Sequence, residues 1–280
     1  MARPIMIQGT ASGVGKTVLT LALCRIFSQD GYRVAPFKSQ NMTTNTAFNK
    51  NGEEIAVSQI LQARAAGLEP QADMNPVILK PSLEKQGTQV ILKGHPYKTL
   101  NAHNYREIKR VLFPEIMQAY TALSLGRDII VIEGAGSPVE LNLNQDDIVN
   151  MGIAKAVKAP VLLAADIDRG GVFASLYGTV KLLDETEMAY IKATVINRFK
   201  GEALHFAEGV RILEKITGLP VAGIIPYIPF DIPDEDNLCG SESTTYNSSH
   251  NFDTQFNIIA NQVRKSLNMD LVYSILNSGV

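Results

Sequence analysis

The stretch Ile5-Met6-Ile7-Gln8-Gly9-Thr10-Ala11-Ser12-Gly13-Val14-Gly15-Lys16-Thr17 constrains this chain more than any other. An apolar run ends in a glycine-rich turn, closes on Gly-Lys-Thr and opens into the helix-forming segment Leu19 to Ser28. Strand, turn and helix in that order make a phosphate-binding loop. Glycines let backbone N–H groups surround phosphate oxygens, and the helix N-terminus adds partial positive charge. On this reading Gly9, Thr10, Ser12, Gly13, Val14, Gly15, Lys16 and Thr17 hold ATP, with Lys16 on the β- and γ-phosphates and the Thr17 hydroxyl on Mg²⁺. The strict spacing asks for a glycine where Thr10 stands, whereas here it comes one residue earlier, at Gly9. A chance glycine-rich turn is the competing reading, and it leaves the flanking strand and helix patterns unexplained.

Apolar, β-rich runs alternate with helical patterns from Pro4 to about Tyr227. This is the signature of an α/β fold in which a doubly wound, mostly parallel sheet is covered on both faces. Strands are predicted over Ile5–Gln8, Arg33–Phe37, Ile129–Glu133, Val161–Ala165, Ala193–Asn197 and Val221–Ile225, with Thr88–Leu92 as an added edge strand. Helices are predicted over Leu19–Ser28, Ile55–Ala66, Tyr105–Leu125, Asp146–Val157, Val172–Leu183 and Leu204–Ile216. After Pro226 the composition turns polar, with Asp234, Glu235 and Asp236 followed by a Ser/Thr/Asn-rich run from Gly240. Such a stretch reads as a linker. Beyond it Phe252, Phe256, Ile259, Val263, Leu267, Leu271 and Ile275 recur at helical spacing, predicting one or two amphipathic helices over Asp253–Leu276. The chain thus divides into a domain over 1–238, a linker over 239–251 and a tail over 252–280. The apolar tail docks on its own domain, on a second copy in a homodimer, or on a partner.

Composition removes several function classes. A chain of 280 residues with 45% hydrophobic content can bury a full core. Net charge is −2 with basic residues dispersed, which offers no footprint for nucleic acid or an anionic membrane surface. No apolar run reaches membrane-spanning length and no signal peptide precedes the loop, so a cytoplasmic, soluble protein is expected. Cys24 and Cys239 lack metal-ligand or disulfide spacing, and Cys239 lies in the linker without the turn that presents a nucleophile. His95, His103, His205 and His250 share no ligand or triad spacing.

Several side chains carry candidate chemistry. The buried-strand pattern Ile129–Glu133 delivers a carboxylate at its C-terminal end, where ligands bind in such folds, so Glu133 is a candidate Mg²⁺ ligand. A carboxylate that merely ends a strand is the alternative. Lys38 ends the second strand and can neutralise phosphoryl charge, while Gln40 and Asn41 can hydrogen-bond substrate; a solvated strand-end lysine is the alternative. Arg169, before Gly170-Gly171 and a helix start, suits an anion unless Asp166 or Asp168 consumes its charge. Asn197, at a strand end, resembles the base-reading asparagine of related ATPases; a turn residue is the alternative. Glu140, Asn142 and Asp147, after Glu133, are candidates for positioning substrate, as is Asp168.

The segments Gln8–Ser12, Ala22–Phe27, Gln29–Met42, Asp73–Val77, Leu79–Pro81, Glu133–Pro138, Asp147–Gly152 and Asp166–Thr179 together resemble the cobyric acid synthase family, over residues 1 to about 238. The longer loop from Gly9 also resembles that of dethiobiotin synthetase. The resemblance implies a P-loop NTPase fold of the dethiobiotin synthetase type. It also implies ATP-dependent amidation of peripheral carboxylates of a corrin ring, from cobyrinic acid a,c-diamide to cobyric acid. Lys16, Lys38 and Glu133 are then catalytic. The family continues into a class I glutaminase domain, and no such segment is found here, so ammonia is expected from solution or from a separate glutaminase subunit. Residues 252–276 look like the family's own terminal tail, which suggests that the two ends are rejoined through 240–251. The family's helical pattern also departs at Val57, an arginine in the family, and at Arg64, a glutamate there. These positions lie two turns apart and share a face. A nucleotide- and corrinoid-binding or regulatory relative without amidation is the rival reading, and a ligase acting on a smaller substrate is a third.

Overall fold

A computed structural model describes residues 2–82, 87–100, 105–142, 146–229 and 252–280. Its centre is a parallel sheet of β1 (Arg3–Gly9), β2 (Val34–Phe37), β9 (Ile129–Glu133), β10 (Val161–Asp166), β11 (Ile191–Phe199) and β12 (Val221–Pro226). These are the six strands expected from the apolar runs. β9 and β10 are buried along their whole length, as strands covered on both faces must be. The spatial order is β12-β11-β10-β1-β9-β2, so the winding reverses around β1. The crevice beyond the carboxyl end of β1 is therefore the expected ligand site.

Side-chain alternation along each strand builds two cores. Ile5, Ile7 and Val131 face α1 (Lys16–Gln29) and α2 (Val57–Ala65). Met6, Ile130 and Ile132 face α3 (Tyr105–Ser124), α4 (Met151–Val157), α5 (Val172–Leu182) and α7 (Ala207–Thr217). The short α6 (Glu185–Met188) is capped by Asp184, whose side chain accepts from the Glu187 N–H. A second sheet, in the order β3-β6-β7-β8, comprises β3 (Gln40–Met42), β6 (Val77–Ser82), β7 (Gly87–Leu92) and β8 (His95–Leu100). A hairpin of β4 (Thr46–Phe48) and β5 (Glu54–Ala56) stands beside it.

Four expectations need correction. Thr88–Leu92 is not an edge strand: it lies inside the second sheet, paired antiparallel on both sides, and a short β-rich run does not say which sheet receives it. The helix expected from Ile55 starts at Val57, because Glu54–Ala56 is consumed by pairing with β4. The helix expected from Asp146 starts at Met151, because the Asp147 carboxylate caps the preceding turn. The Leu204–Ile216 segment opens as a 3₁₀ turn over Ala203–Phe206 before α7.

The tail forms two helices, α8 (Asp253–Ser266) and α9 (Met269–Ser278). Phe256, Ile259, Val263, Val272 and Leu276 are buried in the core that α1 shares. Arg25 pairs with Asp253 at 3.3 Å, and Arg264 with Asp30 at 2.7 Å. The turn between α8 and α9 runs against β12, where the Asn268 N–H donates to the Ala222 carbonyl at 2.7 Å. The linker expected over 239–251 lies outside the described residues.

Candidate functional site

β1 delivers the glycine-rich loop to the centre of the sheet's carboxyl edge. Gly13 and Gly15 have φ of 71° and 92°, a left-handed backbone that glycine adopts without penalty. Gly9 is required for a different reason. A Cβ there would lie 2.5 Å from Val14 Cγ2 and 3.0 Å from the Ala11 carbonyl, so the loop folds back across it. Thr10 donates its N–H to the Ala164 carbonyl at 2.9 Å, tying the loop to β10. The shifted glycine therefore fits this loop's path. Ser12 is exposed at the tip, and Val14 is buried beneath it.

Lys16 is buried, and its ammonium donates to the carbonyls of Ala11 at 3.0 Å and Gly136 at 3.1 Å. It spans from the loop to the turn after β9. The register that sets Ile7 opposite Glu133 brings that strand end under the loop. Gly134 permits the close approach, since a Cβ there would lie 2.3 Å from Asn150 Oδ1. Asn150 in turn donates to the carbonyls of Ala135 and Ser137 at 2.6 and 3.1 Å, and accepts from the Ala135 N–H at 3.2 Å.

Glu133 gathers the other candidates. Its Oε1 accepts from Thr17 Oγ1 at 2.9 Å and from Lys38 Nζ at 2.8 Å; its Oε2 accepts from Gln62 Nε2 at 2.6 Å. The side chains of Lys38 and Glu133 are 7% and 1% exposed, so this is an ion pair shielded from water. Burial pushes the Glu133 carboxyl up, but the Lys38 charge and the hydrogen bonds from Lys38, Gln62 and Thr17 outweigh it and hold the carboxyl below its ordinary value. An ionised carboxylate beside the first-turn hydroxyl of Thr17 is a hard-oxygen pair that fits Mg²⁺.

Lys38 is placed by its own backbone: its N–H donates to the Met74 carbonyl at 2.8 Å, and Asn75 Nδ2 donates to its carbonyl at 2.9 Å. Gln40 and Asn41 follow it on β3, both buried. Asn197 Nδ2 donates to the Val14 carbonyl at 2.7 Å, so it buttresses the loop directly. The next residue, Arg198, has φ of 61° and donates to Asp166 Oδ2 at 3.0 Å.

Other candidates sit apart from Glu133. Asp168 pairs with Lys200 at 2.8 Å, and Arg169, 73% exposed, lies 3.7 Å from Asp166. Asp166 thus draws on the Arg169 charge, as the sequence allowed. Glu140 and Asn142 are exposed on the turn after Glu133. Asp147 is committed to the fold: Oδ1 accepts the N–H groups of Val149 and Asn150, and Oδ2 that of Gly152. Sequence reasoning missed Gln59, Gln62 and Asn150. Nothing local in the Ile55–Ala66 helix pattern signals which of its polar residues turn inward. Cys24 is fully buried, and burial together with the Glu133 charge pushes its thiol far up. Cys239, His103 and His250 lie outside the described residues, while His95 and His205 are exposed. Among the described residues no group of three His, Cys, Asp or Glu could hold a metal ion, and no helix is long and apolar enough to cross a membrane.

Comparison with known proteins bears on this arrangement. The CobQ/CobB/MinD/ParA nucleotide binding domain matches residues 5–235. A cobyric acid synthase of Ruminiclostridium cellulolyticum is 56% identical over 238 residues, which is 85% of this chain and 46% of that protein. One from Streptococcus sanguinis is 49% identical over 238 residues, 85% of this chain and 48% of that protein. The chain thus spans about half the length of these relatives. Among solved structures, a ParA family ATPase from Chlorobium tepidum aligns with a TM-score of 0.45 at 14% identity, covering 80% of this chain and 84% of that one.

Proposed function

This chain belongs to the CobQ/CobB/MinD/ParA nucleotide-binding family, and from that premise we propose that it is an ATP-dependent carboxylate-amine ligase acting on a corrinoid. The reaction is amidation of peripheral carboxylates, cobyrinic acid a,c-diamide to cobyric acid. The observation that carries the reading is the buried Glu133 carboxylate, held ionised by Lys38 and Thr17 directly beneath the phosphate loop. About half-identity to cobyric acid synthases across this part of the molecule supports the substrate class.

In this proposal Gly9 to Thr17 hold the ATP phosphates, and Asn197 supports the loop next to the base. A corrinoid carboxylate oxygen attacks the γ-phosphorus as the bond to the β-bridging oxygen breaks, giving an acyl phosphate and ADP. Lys16 and Lys38 stabilise the charge spread over the transferring phosphoryl group. Thr17 and Glu133 would hold Mg²⁺, which when bound would supply charge neutralisation to the phosphates. Ammonia then attacks the acyl carbon, phosphate leaves, and the nitrogen loses a proton to give the amide. Gln40 and Asn41 on β3, with Glu140, Asn142, Asp168 and Arg169, orient the corrinoid. Asp147 serves by capping the turn into α4 and so placing Asn150, whose amide holds the carbonyls of Ala135 and Ser137 after Glu133. Ammonia comes from solution or from a separate glutaminase, a reading favoured by the inertness of the buried Cys24 thiol.

The test is corrinoid-dependent ADP release. With ATP, Mg²⁺ and an ammonium salt, cobyrinic acid a,c-diamide should stimulate ADP formation and be converted to an amide detected by mass spectrometry. ATP binding without corrinoid-stimulated turnover would instead assign the chain to a nucleotide-binding or regulatory role.

A further inference from the structure

α2 carries a polar relay that the phosphate-site chemistry does not by itself require. Ser58, Gln59 and Gln62 are all buried on this helix. Asn41 Nδ2 donates to Ser58 Oγ at 3.5 Å, and Ser58 Oγ donates to Gln59 Oε1 at 3.3 Å. Gln59 Nε2 donates to Gln62 Oε1 at 2.7 Å, and Gln62 Nε2 donates to Glu133 Oε2 at 2.6 Å. Each donor points the same way, from the β3 segment toward the carboxylate. The polarity is enforced: turning the Gln62 amide over would set its carbonyl against Glu133 Oε2 and its NH₂ against the Gln59 NH₂. Gln62 Nε2 also lies 3.4 Å from the Thr17 carbonyl, so it reaches the helix that bears the phosphate-site hydroxyl.

We propose that Gln62, oriented by Gln59, is the positioning residue that fixes the Glu133 carboxylate so that Oε1 faces Thr17 and Lys38, and that the relay ties this orientation to Asn41. The argument is geometric. Thr17 and Lys38 both engage Oε1, so neither fixes rotation of the carboxylate about its Cγ–Cδ bond as firmly as a donor on the opposite oxygen does. Gln62 supplies that donor, and unidirectional chains strengthen each link by polarisation. Two fully buried glutamines on one helix are costly unless satisfied, and here each amide is satisfied by the next. This inference rests on the reading of Glu133 and Thr17 as the Mg²⁺ side of a nucleotide site.

The test uses the full chain with the non-hydrolysable analogue AMP-PNP, titrated by calorimetry without metal and at a series of MgCl₂ concentrations. Gln62→Met keeps length and removes the donor. Gln59→Met touches neither Glu133 nor Thr17 and removes only the orienting contact; Ser58→Ala lies one link further. Loss of a partner outside the direct ligand set costs about 10- to 100-fold in metal affinity. The Mg²⁺ concentration at half-effect should therefore rise by that order in Gln62→Met, by less in Gln59→Met and least in Ser58→Ala. Metal-free nucleotide affinity should stay unchanged in all three. If Gln62→Met does not fold, the graded pair of Gln59→Met and Ser58→Ala carries the same readout. Variants that lower the melting temperature yet keep the wild-type Mg²⁺ dependence would overturn the relay. A wild-type chain that binds the analogue equally with and without Mg²⁺ would overturn the phosphate-site reading, and the relay with it.

Discussion

Gly223→Ala tests how the tail is held, because one added methyl must collide with backbone. A Cβ on Gly223 would lie 2.3 Å from the Ser266 carbonyl oxygen and 2.9 Å from Leu267 Cα, and no rotamer can relieve either contact. To admit it, the turn between α8 and α9 has to lift off β12. That breaks the hydrogen bond from Asn268 N–H to the Ala222 carbonyl, worth about 1 kcal/mol. It also partly exposes the buried Leu267, whose full exposure costs about 1.5–3 kcal/mol. Taking half of that burial as lost, and an offset of roughly 0.5 kcal/mol for the stiffer unfolded chain, the net loss is about 1–2 kcal/mol. Gly178→Ala is the control. Gly178 lies within α5 with no atom within 4 Å of an added Cβ, and alanine inside a helix gains about 0.5–1 kcal/mol. Urea unfolding of the two variants should move the midpoint in opposite directions. Gly223→Ala with the stability of wild type would refute the seating of the tail on β12.

Lys16→Ala should leave the melting temperature close to wild type while weakening calorimetric ATP binding by at least about tenfold, because backbone amides cannot replace an ammonium on the phosphates. Glu133→Gln keeps the shape and removes the charge that fits Mg²⁺; metal-free nucleotide affinity should hold while Mg²⁺ dependence is lost, and breaking the buried Lys38–Glu133 ion pair should also lower stability by about 3–5 kcal/mol in urea unfolding. Burial pushes the Asp30 carboxyl up, but Arg264 and Tyr273 more than offset this and hold it below its ordinary value. Its contribution is therefore present above the ordinary aspartate range and lost as pH falls through the lowered value, so acid should destabilise wild type more than Asp30→Asn in parallel melts. Glutamine alone should support no amidation, and ammonium should; glutamate release by the purified chain would contradict this.

Much of this molecule is legible because its strands are buried on both faces. Ile129–Glu133 and Val161–Ala165 need no tertiary knowledge to be read as central strands, since four or five consecutive apolar residues have nowhere else to go. The phosphate loop is legible for the same reason: glycines at 13 and 15 answer to left-handed backbone, a local demand. Gly9 is half legible, for its necessity comes from Val14 folding back across it. What was not legible is pairing at a distance. Thr88–Leu92 has the right pattern for a strand, but only its partners in β6 and β8 place it in a second sheet. Asp147 reads as a free carboxylate until three amides are seen to converge on it. Gln59 and Gln62 belong to a helix whose period does not say which polar residues face inward, and only the fold sets them against Glu133.

Oxygen transfer tests the central claim most directly. Cobyrinic acid a,c-diamide labelled with ¹⁸O in its free carboxylates is incubated with the chain, ATP, Mg²⁺ and ammonium, and the released inorganic phosphate is analysed by mass spectrometry. If a carboxylate oxygen attacks the γ-phosphorus and leaves with phosphate when ammonia arrives, each amide formed must yield one phosphate bearing ¹⁸O. Amide accompanied by unlabelled phosphate would contradict the acyl phosphate, and ATP bound with neither amide nor labelled phosphate formed would contradict the ligase itself.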